Sequence, residues 1–171
     1  MARKSAPEIH HLGKRRKTKI KYYFLLARHM TSIEKYRQAA GCIVRDPNNK
    51  DSVLLIRRSK HETSFHGLWE LPGGKVEPGE KPHQTAINET VEETSLSKIL
   101  GTAVVLKPHI DHDMEKIYYG YVVDCIKARN TPNVVLSDEH DAYMWITLEG
   151  ALKISPLSHH AHFLLSQLNE D

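Results

Sequence analysis

Cysteine is scarce: the 171-residue chain holds two, Cys42 and Cys125, each within an apolar run. No C-x-x-C pair and no Cys/His set with zinc spacing occurs. That excludes a zinc ribbon or finger and a disulfide-framed scaffold, and both thiols are expected to be buried in a reducing, cytoplasmic compartment. Long apolar runs are also missing, and none approaches the roughly 20 residues a membrane-spanning helix needs. The early apolar stretch from Tyr22 to Ala27 is too short for a span and lacks the small-residue cleavage site of a signal peptide. Internal repeats are absent, and no composition shift announces a second folded domain.

What remains is a chain of ordinary single-domain size, with 40% hydrophobic and 26% charged residues, so it reads as soluble and globular. Such a chain can bury a sizeable core without staples. Its net charge of +3 hides an asymmetry. Residues 1–29 carry nine Lys/Arg against one acid, Glu8, whereas the remainder carries fifteen Lys/Arg against twenty acids. The run Lys14-Arg15-Arg16-Lys17-Thr18-Lys19 could serve as an arm for nucleic acid. The simpler reading, favoured here, is a solvated tail, or a chain whose true start is Met30. Dense like charge predicts disorder through at least Lys19. Residues 1–35 are therefore read as a basic extension and 36–171 as the folded domain.

In the body, Ala39–Val44 and Val53–Ile56 read as strands of a hairpin joined by the turn cluster Pro47-Asn48-Asn49. His61 to Gly67 reads as a polar loop, and Leu68–Leu71 as a short extended piece that Pro72-Gly73-Gly74 ends. A helix is predicted over Pro82–Thr94, with Pro82 in its first turn, where a missing N–H costs nothing. Strands are predicted at Gly101–Leu106, Ile117–Ile126 and Ala142–Ile146, a loop at Asn133–His140, and helices at Leu148–Leu152 and Ser158–Leu168. The segment His109-Ile110-Asp111-His112-Asp113 has metal-like composition but reads more simply as a polar loop, and His159, His160 and His162 read as ordinary helix residues.

The predicted acidic helix carries the chemistry. At about 100° per residue, Glu89, Glu92 and Glu93 share a narrow stripe, and Ile87 and Val91 lie near the opposite side, as if facing the core. Like charges at these spacings destabilise a bare helix, and a bound cation would reverse the sign. Hard oxygen donors select Mg²⁺, Mn²⁺ or Ca²⁺ over zinc, and Mg²⁺ readily shares itself with phosphates. The Gly73-Gly74 turn lets backbone approach a metal or phosphate closely. A solvated acidic face is the bland alternative. Glu80 upstream and Glu89 on the same stripe weigh against it.

These residues resemble the Nudix box, G-x5-E-x7-R-E-U-x-E-E-x-G-U, where U is a bulky apolar residue. Gly74, Glu80, Glu89, Glu92, Glu93 and Leu96 stand in register over 23 residues. Gly67–Glu77 is also similar to the MutT branch, and the likeness extends loosely over Ala39 to Leu168. Three positions depart from the pattern: Asn88 replaces the arginine, Thr90 the apolar residue and Ser95 the last glycine. The arginine usually steadies a catalytic glutamate as its ion-pair partner, and the last glycine usually takes the left-handed conformation that ends the helix.

The resemblance implies an α+β fold, an α/β/α sandwich with a mixed β-sheet flanked by helices. It implies Mg²⁺-dependent (or Mn²⁺-dependent) hydrolysis of a nucleoside diphosphate linked to a further group, with a (d)NTP, oxidised forms included, as the first substrate and a monophosphate and pyrophosphate as products. The alternative is a non-catalytic or weakly catalytic nucleotide sensor of the same fold. The implied metal ligands are Glu89, Glu92 and Glu93, with the Gly74 carbonyl and the loop acid Glu139 as additions. Glu89 is the candidate for activating water, and Glu80 and Asn88 are positions that orient the acids. For phosphate, one of Arg57 and Arg58 should face the cleft, because side chains alternate on a strand. Trp69 could stack on a base or fill the core. Tyr119 and Tyr121 are expected on one face of their strand. The implied partner is a nucleotide, with no membrane, and the chain is expected to be a monomer or homodimer.

Overall fold

In the computed structural model, residues 35–97, 103–125 and 133–169 are described. The basic extension up to residue 34 and the expected strand ends at Gly101 and Ile126 lie outside them. The elements follow in the order β1 (Arg37–Arg45), β2 (Ser52–Arg58), β3 (Trp69–Glu70), β4 (Gly73–Lys75), α1 (Pro82–Thr94), β5 (Val104–Val105), β6 (His109–Asp111), β7 (Lys116–Asp124), β8 (His140–Thr147), α2 (Leu148–Lys153) and α3 (His159–Ser166), closed by a 3-10 turn at Gln167–Asn169.

All eight described strands join one mixed sheet. Its central path runs β3-β2-β1-β7-β5, with β4 beside β1, β6 beside β7 and β8 beside β2. The β1–β7 pair is parallel, in register from Arg37↔Lys116 to Arg45↔Asp124, and the other pairs are antiparallel. A strand paired parallel at the centre is covered on both faces and reads as a continuous apolar run, and residues 39–44 of β1 are all buried. Alternation then divides the core. Ala39 and Ile43, with Val53, Leu55, Trp69, Tyr118 and Val122, face Ala151 of α2 and Ala161, Leu164 and Leu165 of α3. Ala40, Cys42, Val44, Leu54, Ile56, Tyr121 and Val123 face Ala86 of α1 and Leu96. Helices therefore cover both faces, and residues 37–171 make one compact unit. Both cysteines are buried thiols, and Tyr119 and Tyr121 share the α1 face as alternation requires.

Two segments differ from the sequence reading. Gly73 and Gly74 do not end a strand but form one, pairing with β1 through Ala40↔Gly74 and Gly41↔Gly73. A Cβ on Gly73 would strike the Ala40 carbonyl and the Gly41 Cα, so glycine here permits close backbone approach rather than a break. His109–Asp111 is a strand on β7 rather than a loop. The turn that follows is closed by Asp111 Oδ1, which accepts from the Met114 N–H at 2.9 Å.

Helix α1 occupies its predicted span, with Pro82 at its start. Its buried side is Thr85, Ala86, Thr90, Glu93 and Thr94, whereas Ile87 and Val91, expected to face the core, are only half-buried. The threonines are accommodated because their hydroxyls bond back along the helix: Thr90 donates to the Ala86 carbonyl at 2.7 Å, and Thr94 donates to the Thr90 carbonyl. That satisfies polar groups that would otherwise be costly in a core. Ser95 closes the helix at φ 56°, ψ 18°, donating its N–H to the Val91 carbonyl.

A side chain with a Cβ is strained in that left-handed conformation by about 1–2 kcal/mol, and glycine's extra unfolded-state freedom offsets about 0.5–1 of it. Ser95→Gly should therefore stabilise the protein by roughly 0.5–1 kcal/mol. The check is a rise in the urea midpoint at unchanged slope. A fall in the midpoint would show that the Ser95 side chain contributes more than the strain costs.

Candidate active site

The last turns of α1 lie against β4, and the contact is polar. The Gly73 N–H donates to Glu93 Oε2 at 2.8 Å, although Glu93 is only 6% exposed. The other oxygen, Oε1, faces His140 Nε2 at 3.8 Å, and that nitrogen lies 3.3 Å from Glu70 Oε1. Arg58 extends the chain of charges: its guanidinium stands 3.6 Å from Glu70, 2.8 Å from Glu62 and 3.8 Å from Glu139. One turn earlier on α1, the Glu89 carboxylate rests over Gly74, where a Cβ would collide with it. Glu80 accepts from the Thr85 hydroxyl at 2.8 Å and from the Glu77 N–H at 3.3 Å, fixing the approach to the helix.

Burial pushes the Glu93 carboxyl up to about 9, against the pull of the Gly73 N–H, and Glu70, Glu89 and Glu139 add to the rise. The Glu89 carboxyl is raised as well, first by burial and then by the fields of Glu92, Glu139 and Glu80. After burial, these acids raise one another's proton affinity through their mutual fields. A divalent cation would oppose both effects. Among the described residues no group of three or more His, Cys, Asp or Glu side chains is arranged to hold a metal ion. Glu89 and Glu93 are two hard oxygen donors one helical turn apart. That donor set fits Mg²⁺ or Mn²⁺, which fill the remaining positions with water and phosphate oxygens, better than an ion that needs a full protein shell.

The other expected residues are distributed as follows. Glu92 is exposed, so the three-acid stripe is split between an inner acid, Glu93, and an outer one. Glu139 has an exposed side chain on the Arg58 side of the cluster. Asn88 is exposed and accepts from Gln84 Nε2 at 2.9 Å, bringing no charge to the acids. Arg58 faces the acids. Arg57 turns away, pairs with Asp141 at 2.7 Å and lies 5.6 Å over the Trp69 ring. Trp69 is 9% exposed and belongs to the core under α2 and α3, across the sheet from α1. Sequence reasoning missed Glu70 and His140. The signal for Glu70 was alternation: if Trp69 fills one face, Glu70 must look to the other.

The sequence pattern of the NUDIX domain family matches residues 35–166 of this chain. The chain belongs to the NUDIX domain family. Among curated relatives, the nucleoside triphosphatase NudI of Salmonella paratyphi B is 30% identical over 110 residues, covering 59% of this chain and 77% of that protein. Among solved structures, the MutT protein of Methanosarcina mazei Go1 superposes with a TM-score of 0.59 at 28% identity, covering 79% of this chain and 94% of that one. The Ap4A hydrolase of C. elegans, in a binary complex, does so with a TM-score of 0.59 at 27% identity, covering 78% and 96%. The three-layer Nudix fold and the pyrophosphohydrolase class expected from the box are thereby supported. No described helix of this Nudix domain is long and apolar enough to cross a membrane.

In metal-free folded protein the Glu93 carboxyl keeps its proton to about pH 9, whereas its ordinary value is 4.5. Between those values the folded state binds more protons than the unfolded one, so stability falls as pH rises through the window. Thermal melts in chelator should show Tm declining from mildly acidic to alkaline pH, and Glu93→Gln should flatten part of that decline. A slope that Glu93→Gln leaves unchanged would show that this carboxyl is not the burdened group.

Proposed function

We propose that the protein hydrolyses a diphosphate linkage in a nucleoside diphosphate joined to a further group, with Mg²⁺ or Mn²⁺ held at Glu89 and Glu93. A nucleoside triphosphate is the first substrate class, released as a monophosphate and pyrophosphate. The observation that carries this reading is the pair of proton-hungry carboxylates on adjacent turns of α1, one bonded to the Gly73 N–H and one seated over Gly74. The nucleoside triphosphatase name of the NudI relatives favours the same substrate class.

In this reading Glu89 and Glu93 hold the ion directly or through water, with the Gly74 carbonyl beside them. Exposed Glu92 and Glu139 act from the rim. When bound, the ion stabilises charge on the phosphoryl and leaving oxygens. Glu89, whose proton affinity is raised, is suited to take a proton from the attacking water. Arg58, the guanidinium that faces the acids, would meet a phosphate in this reading. Glu80 secures the start of α1 through the Thr85 and Glu77 bonds.

A panel of (d)NTPs, oxidised forms, dinucleoside polyphosphates and ADP-ribose, each with Mg²⁺, tests the proposal by phosphate or pyrophosphate release. Turnover of at least one is expected, and Glu93→Gln should reduce it by at least about 100-fold. Uncharged Asn88 favours one other outcome, a nucleotide sensor: tight calorimetric binding with no product across the panel would establish that and sink the hydrolase.

Gly74→Ala gives a separate check. The new methyl would displace the Glu89 carboxylate, and misplacing a reacting group by an ångström can cost about 100-fold in rate. The variant should lose activity on that scale while its melting curve stays cooperative. Activity within twofold of wild type would show that Glu89 does not work from this position.

A further inference from the structure

His140 opens β8, and its side chain is fully enclosed, with 0% exposure. Nε2 lies 3.3 Å from Glu70 Oε1 and 3.8 Å from Glu93 Oε1. Nδ1, also buried, meets no hydrogen-bond partner among the described residues, whereas Nε2 has one. Nε2 stands between two carboxylates from different elements, Glu70 of β3 and Glu93 of α1.

The consequence for Glu93 is geometric. Its Oε2 is taken by the Gly73 N–H at 2.8 Å, and its Oε1 faces the imidazole. Glu70 is in turn approached by Arg58 at 3.6 Å. A continuous line of polar contacts, Arg58–Glu70–His140–Glu93–Gly73, therefore crosses β2, β3, β8, α1 and β4. The β2–β8 register slips between Arg57 and Arg58, opposite the start of β8, and a bulge of this kind re-aims the side chains beside it. Helix α1 offers no substitute. At position 88, where the family pattern has arginine, Asn88 is exposed and bonded to Gln84.

We infer that His140 is a positioning residue: its Nε2 edge, hydrogen-bonded to Glu70 and 3.8 Å from Glu93, fixes the place of both carboxylates for the divalent ion. The inference rests on the metal reading of Glu89 and Glu93 given above. It places the steadying group on β8, behind the acids, instead of on the helix that carries them.

Two conservative variants separate this role from packing. Gln carries an amide nitrogen near the place of Nε2, and Asn carries one near the place of Nδ1. Both lose the ring, so a purely structural role would treat them alike. Mn²⁺ binding to the nucleotide-free protein, read by the loss of the free Mn²⁺ paramagnetic resonance signal, is the measurement. His140→Gln should bind Mn²⁺ within about threefold of wild type and His140→Asn about tenfold more weakly, since partners behind metal ligands typically contribute on that scale. Equal affinities in the two folded variants overturn the inference. Should the polar variants fail to fold, His140→Phe keeps the bulk of the ring without the N–H. It should bind about tenfold more weakly, and wild-type affinity in it also overturns the inference. Wild-type protein that binds no Mn²⁺ sinks the metal reading itself, and with it this role. Binding by wild type with no difference between the variants sinks only the role of His140.

Discussion

The contact between the Gly73 N–H and the buried Glu93 carboxylate is the constraint around which the rest of the domain is arranged. An acid taken out of water is costly unless something compensates it. Here the main chain of β4 supplies one hydrogen bond, and burial still dominates, so the group holds a proton in the absence of a cation. In the proposed metal reading, the cost falls where a positive ion would offset it. A buried carboxylate perturbed in this way is a candidate for a functional site.

The sheet makes that contact possible. The β1–β7 register carries a continuous buried run through the centre, and β4 lies along β1 because glycines at 41 and 73 let the backbones come together. Helix α1 then packs over the same face through Ala86, with Leu96 just beyond its end. Residues on opposite sides of the sheet are kept apart by simple alternation. Arg58 joins the acids while Arg57, its neighbour, pairs with Asp141 beside Trp69. One strand thus provides a charge for the site and an anchor for the opposite core.

Much of this is legible in the sequence. The span of α1 could be read because Pro82 and the residues after Thr94 punctuate it, and the paired apolar runs of β1 and β2 announced themselves. The box residues stood in register, so the acids were found together. Strand β4 was not legible, because Pro72-Gly73-Gly74 carries every local sign of a break and only its long-range partner, β1, makes it a strand. Nor could periodicity say which edge of the acid stripe would turn inward. Docking decided that, placing Thr85, Ala86, Thr90, Glu93 and Thr94 against the sheet. The His140–Glu70 contact joins residues 70 positions apart, and no local pattern encodes such a meeting.

The inward side of α1 is built from threonines, one alanine and a glutamate, and it contributes little of the oily surface that usually holds a helix to its sheet. Segments with few apolar contacts open locally at lower free energy than the rest of their domain. An ion bound only by the closed form adds to that closure by mass action. If the acids hold an ion as proposed, the divalent concentration around the protein would act as a latch on this helix, tightening the element that carries them.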